Sequence, residues 1–157
     1  MGEGLKNYST KIPVSATVGE ITALLMDAGA SDILTSYTDR KPVGLRFLLH
    51  TPYGRQLFSL PANTEQVLRV LEAHHRAGHN RSGVRIDQAQ AERVGWRILR
   101  DWLDAQLALV EIGMATADQV LLPYRMVDGE RTVYQAVVAG GGLLPGIDVP
   151  LLPEGRG

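Results

Sequence analysis

The stretch from Asp87 to Ile112 constrains this chain more than any other. Asp87, with Gln90 three residues on, carries the N-terminal signature of a helix. No proline interrupts the run, which continues to Glu111 or Ile112 before Gly113 closes it. The spacing predicts one helix of about 25 residues, roughly 37 Å long at about 1.5 Å per residue. Its apolar residues fall in two opposed rows, Ala91, Val94, Ile98, Trp102, Ala105 and Leu109 on one and Trp96, Leu99, Leu103, Leu107 and Val110 on the other. A helix apolar on two sides must be covered on two sides. In a chain of 157 residues with only short elements elsewhere, the pattern favours a homo-oligomer in which a second copy supplies part of that cover. A central core helix in a monomer is the other solution.

The sequence before this helix alternates in character. Lys6–Ile12 is polar and β-compatible and stops at Pro13, which reads as an edge strand or an arm. Thr17-Val-Gly-Glu20 has the spacing of a capping box, and Val18, Ile21, Leu24, Leu25 and Ala28 then recur at helical spacing until Gly29. Asp32–Tyr37, Val43–His50 and Arg55–Leu60 are β-rich runs separated by Asp39-Arg-Lys-Pro42 and Thr51-Pro-Tyr-Gly54, so a three-stranded antiparallel meander is expected. Asn63 with Gln66 opens a further helix that runs out at His74, His75 and Gly78, before a loop over His79–Gly83. Thr116 with Gln119 caps a short helix ended by Pro123, and Thr132 to Ala139 forms another. The expected fold is α+β: one domain over 1–139, sheet-rich at 6–60 and helical at 62–139, followed by a Gly- and Pro-rich apolar tail at 140–157.

Composition removes several classes of function. With no cysteine, disulfide scaffolds, thiolate metal sites and cysteine nucleophiles are excluded. No apolar run reaches the roughly 18 residues of a membrane span, and Met1–Lys6 has no secretory h-region, so a soluble cytoplasmic protein is expected. The net charge of −1 conceals opposed halves. Residues 1–100 hold thirteen of the sixteen Lys and Arg and nine of the seventeen acids, a balance of +4, whereas residues 101–157 carry −5. Such a chain is unsuited to coating nucleic acid, yet it has room for a local anion site.

Motifs of known catalytic mechanics are missing: no phosphate loop, no nucleophile elbow, no His-Glu-x-x-His and no dinucleotide fingerprint. The expectation is therefore a protein that is not an enzyme, with no cofactor and no metal. His74, His75 and His79 lie within six residues, and His75 and His79 have helical i, i+4 spacing, but Gly78 intervenes. They read more readily as a frayed helix end than as metal ligands, and proton transfer by His50 or His74 is the minor alternative.

The more informative set is Arg93, Arg97 and Arg100, spaced to share one face of the long helix, with Arg81 and Arg85 just before it. Guanidinium forks suit phosphate and carboxylate, so this stripe is either a polyanion site or a solvated row paired with Glu92, Asp101 and Asp104. Trp96, Tyr8 or Tyr53 would stack a base, and the Tyr8-Ser-Thr-Lys11 arm would close over the ligand with hydroxyls and one cation.

Asn7-Tyr-Ser-Thr-Lys-Ile-Pro13 with Val18-Gly-Glu-Ile21 resembles the opening of a family of small phage and prophage proteins of uncharacterised function. The run Gln88–Met114, with Leu122-Pro-Tyr124 and Thr132-Val-Tyr134, is similar to the helical second half of that family. The resemblance implies a phage setting inside an infected bacterial cell. At the level of class it resembles the small oligomeric phage proteins that sequester nucleotide immune signals such as cyclic ADP-ribose isomers. It implies non-catalytic capture of a phosphate-containing nucleotide by Tyr8, Thr10, Lys11, Arg93, Trp96, Arg97 and Arg100. A phage nucleic-acid-binding accessory protein is the first alternative and a nucleotide phosphodiesterase the second.

Overall fold

The computed structural model describes residues 4–80 and 83–141. Its elements run α1 (Val14–Asp27), β1 (Ile33–Thr38), β2 (Lys41–Thr51), β3 (Gly54–Pro61), α2 (Glu65–Arg76), α3 (Gln88–Glu111), α4 (Ala117–Leu121), a 3-10 turn (Leu122–Tyr124) and α5 (Val133–Ala139). The class is α+β, a three-stranded antiparallel sheet ordered β1-β2-β3 with five helices. No helix among the described residues is long and apolar enough to cross a membrane. The expected tail falls outside the described residues from position 142 onward.

The hairpins form where turn chemistry placed them, with two adjustments. Asp39 and Arg40 alone make the first turn, both with positive φ (49° and 64°), the backbone that matches strand twist in a two-residue hairpin. Pro42 belongs to β2 rather than to the turn and pairs with Tyr37, where the β1–β2 register shifts by a bulge. A proline lacks a ladder donor, and an irregularity in pairing is where a sheet tolerates one. One face of this sheet supplies Leu45, Phe47, Leu49, Phe58 and Leu60, all buried, and the Phe47 and Phe58 rings stack at 5.7 Å.

Helix α1 begins one turn earlier than the capping-box spacing implies. Pro13 is its N-cap, which puts Thr17 inside the helix and fully buried instead of at the cap. Proline supplies the fixed φ that suits a helix entrance, so the helix starts as soon as the ring permits. Ile21 and Leu25 then reach the core from α1. For the Lys6–Ile12 segment the structure decides between the two expected forms: it joins no strand, turning instead at Asn7 (φ 63°). It is an arm rather than an edge strand.

Helix α3 has the expected cap and end. Asp87 accepts the Gln90 backbone N–H at 2.8 Å, and Glu111 is the last helical residue. Both apolar rows are covered by the chain's own elements along the first two-thirds of the helix. Trp96, Leu99, Leu103 and Leu107 pack on the sheet and α1, while Ala91, Val94 and Ile98 pack with Leu71 of α2 and with Leu5 and Tyr8 of the arm. Gly95 permits this second contact, since a Cβ there would come within 2.9 Å of the Thr64 side chain. A second copy is thus not required to cover these two-thirds. The last turns keep exposed apolar surface, with Ala105 and Ala108 open and Ile112 and Met114 beyond them.

Reciprocal capping boxes hold α4 (Thr116 with Gln119) and α5 (Thr132 with Gln135). The loop between them covers the outer edge of β3, where Met126 N–H donates to the Leu57 carbonyl at 2.7 Å. Asp128 organises that loop by accepting the backbone N–H groups of Glu130 and Arg131, and those bonds hold its carboxyl below the usual range.

Candidate functional site at the arm and helix α3

The arm lies across α2 and α3, fixed at three points. Leu5 N–H donates to His74 Nδ1 at 3.0 Å, Asn7 Nδ2 donates to Asp101 Oδ2 at 2.9 Å, and Gln90 Nε2 donates to the carbonyls of both Tyr8 (2.8 Å) and Thr10 (3.0 Å). Gln90 is only 5% exposed, so its amide replaces strand pairing as the partner of the arm's backbone. The sequence reading missed this residue, although a glutamine one turn into a helix otherwise apolar on that face was the available signal. Asp101 collects the arm's remaining charge. Burial pushes its carboxyl up, but hydrogen bonds from Asn7, Arg100 and Lys6 outweigh burial and hold it below the ordinary aspartate value.

The three arginines of α3 have different environments. Arg97, 13% exposed, pairs with Glu20 and approaches Thr17 Oγ1 at 3.5 Å. Arg100 lies between Asp101 and Asp104, at 3.2 Å from each, with Glu20 Oε1 at 3.6 Å from its Nε. Both are committed to carboxylates, Glu20 of α1 and Asp101 and Asp104 of α3, so the expected paired row is met in part: Glu92 pairs with Lys41 instead of an arginine, and Arg97 is largely covered. Arg93 differs: its Nε and Nη2 donate to Gln90 Oε1 at 2.9 and 2.6 Å. Among the described residues no carboxylate pairs with it.

The expected site residues therefore divide. Thr10 and Arg93 meet at Gln90, where one amide holds the Thr10 carbonyl and the Arg93 guanidinium together, and Lys11 follows Thr10 in the arm. Lys11 is exposed and forms no ion pair among the described residues. Thr10 Oγ1 accepts the Ile12 N–H at 3.2 Å, which leaves its own hydrogen available to donate. Tyr8 packs against the Leu71–Ala91–Val94 cluster. Trp96 is corrected outright as a stacking platform: it is 1% exposed, inside the core. Tyr53 belongs to the β2–β3 turn, not to this junction. Arg85 pairs with Asp87 at 2.8 Å, and Arg81 lies outside the described residues.

The side chains of His74 and His79 have a structural role at the end of α2, which is capped rather than frayed as expected. Gly78 and His79 donate backbone N–H groups to the carbonyls of His75 and His74, the double bond pattern that ends a helix with a left-handed residue. In that motif the side chains corresponding to His74 and His79 touch, and their rings meet edge-on at 5.7 Å. His74 Nδ1 is an acceptor for the arm. No three His, Asp or Glu converge to hold a metal among the described residues.

No family model, no curated protein and no solved structure matches the chain.

Proposed function

We propose that the protein binds a small phosphate-bearing ligand, without cleaving it, at the junction of the arm with the first turns of α3. One observation carries the reading: Arg93 is held by a neutral amide while Arg97 and Arg100 are neutralised by acids. A guanidinium fixed in direction but not in charge is prepared for an anion. Lys11 adds a second cation and Thr10 a hydroxyl donor, both from the arm that Gln90 fastens to the same guanidinium. All these groups come from one chain, so the junction needs no second copy.

The nucleotide part of the proposal draws on the resemblance to phage proteins. In that setting a non-catalytic anion site would sequester a nucleotide immune signal and so blunt a host defence. Contacts to the phosphate carry the affinity, because the junction offers no open aromatic ring of Trp96 to the base.

Thermal stability against a panel of cyclic ADP-ribose isomers, cyclic dinucleotides and a short single-stranded DNA tests this directly. A ligand at about 100 times its Kd adds about 2.7 kcal/mol and gives a visible shift in Tm. Arg93→Ala with Lys11→Ala is expected to remove the shift, with the unliganded Tm lowered because Gln90 Oε1 loses its donor, and Lys11→Ala alone is expected to weaken the shift and leave that Tm in place. Mass analysis should return the ligand intact. A shift with DNA alone, falling steeply between about 50 and 200 mM salt, would replace this reading with nucleic-acid binding.

A further inference from the structure

Helices α1 and α3 lie side by side and point the same way. Thr17 and Glu20 face Arg97 and Arg100, and about two turns on, Leu24 and Ala28 share a groove of about 540 Å³ with Leu107 and Val110. Both C-termini therefore open at one end of the molecule. Neither has a basic residue in its last turn, and each ends on an acid instead, Asp27 and Glu111, both of which border the groove. Negative helix poles gain from nearby cations, yet here two coincide with two carboxylates that pair with no base among the described residues.

The groove continues into a second of about 580 Å³, which shares Ala28 and Val110 and extends to Met114. Leu24, Leu107 and Val110 form the floor of the resulting trough, and Ala108 leaves its wall low and open. Met114 is 74% exposed and Ile112 beside it 67%. Among the described residues neither groove is lined by Lys or Arg, and His50 is the one basic side chain on the perimeter. An apolar floor between acidic rims, with a flexible thioether at one end, has the chemistry that accepts a helix apolar on one face and cationic on the other.

We infer that this trough is a docking site for a basic amphipathic helical segment of a partner protein, separate from the anion junction on the arm. Its leucines would lie on Leu107 and Val110, and its lysines or arginines would reach Asp27, Glu111 and the two helix ends. Charge complementarity selects this occupant, because an acidic or neutral helix would bring nothing to the paired negative poles.

The test titrates the full chain with a synthetic helix of Leu and Lys, with Leu at i, i+3, i+4 and i+7 spacing, followed by fluorescence anisotropy. The expected result is saturable 1:1 binding, lowered about three- to tenfold by Asp27→Asn with Glu111→Gln, as two exposed charge pairs would give, and abolished by Ala108→Arg. Ala108 is exposed on its helix, so that variant keeps the fold, which its unfolding midpoint verifies. No binding, equal binding of a sequence-scrambled peptide of the same composition, or indifference to both variants would overturn the proposal. Sedimentation on the same samples identifies the rival occupants. A wild-type dimer made monomeric by Ala108→Arg would assign the trough to a second copy, and binding gained only on removal of residues 142–157 would assign it to that segment; either overturns the proposal.

Discussion

The two halves of α3 meet the same problem and resolve it differently. From Gln88 to Asp101 the helix is wrapped by the arm, α1 and α2. Its arginines find Gln90, Glu20 and Asp101, and Trp96 disappears into the core. From Trp102 to Glu111 only one side is covered, and the other keeps alanines, acids and a shallow trough. Amphipathic periodicity is similar in both halves. What differs is the supply of neighbours, so a regular apolar pattern specifies a wish for cover and not the identity of what covers it.

The largest effect should come from the wrapped half. Trp96→Ala is expected to lower stability by about 3–5 kcal/mol, as deletion of a fully buried aromatic does, seen as a lower urea midpoint. A near-neutral result there would break the comparison, since it would place the indole outside the core. Next, Gln90→Ala leaves two arm carbonyls and one guanidinium without their buried partner. It should cost about 1–3 kcal/mol and raise hydrogen exchange in residues 5–12 selectively. Uniform exchange across the chain would mean that the arm is not held by this amide.

Acid should release the arm by a different route. The lowered carboxyl of Asp101 contributes stability that is fully present above its unfolded value near about 4 and is lost as pH falls through its folded value. The Asn7 side-chain amide resonances should therefore move toward free values at acid pH, and Asp101→Asn should abolish that dependence. The smallest effect belongs to the open half. Ile112→Ser is expected to change stability by no more than about 0.5 kcal/mol in the same urea experiment, and a larger loss would show that this end is covered after all.

Much of the fold was legible because its signals are local. Asp87 with Gln90, Thr116 with Gln119 and Thr132 with Gln135 each close a bond within one helical turn, so residue spacing alone announces them. The meander is legible for the same reason. Misreadings arose where two local signals competed, as at Pro13 and Thr17, both able to mark a helix entrance. The candidate site was legible only as a set of cations. Arg93, Arg97 and Arg100 are equivalent by spacing; what separates them is that packing brings Glu20, 77 positions away, to Arg97, while Arg93 takes its neighbour Gln90, whose amide is in turn held to Thr10 of the arm, 80 positions away.

By itself, then, the sequence determined the elements, their order and the α+β class, because turns, caps and periodicity act between residues a few positions apart. It also determined that cations gather in the first hundred residues and acids in the remainder. Tertiary structure alone decided that Lys6–Ile12 is an arm fastened by Gln90, that Trp96 is core, that two of three arginines are neutralised, and that two helices end together in an acidic trough. Those outcomes depend on which partner occupies the space beside each side chain, and long-range packing sets that occupancy while one-dimensional spacing leaves it open.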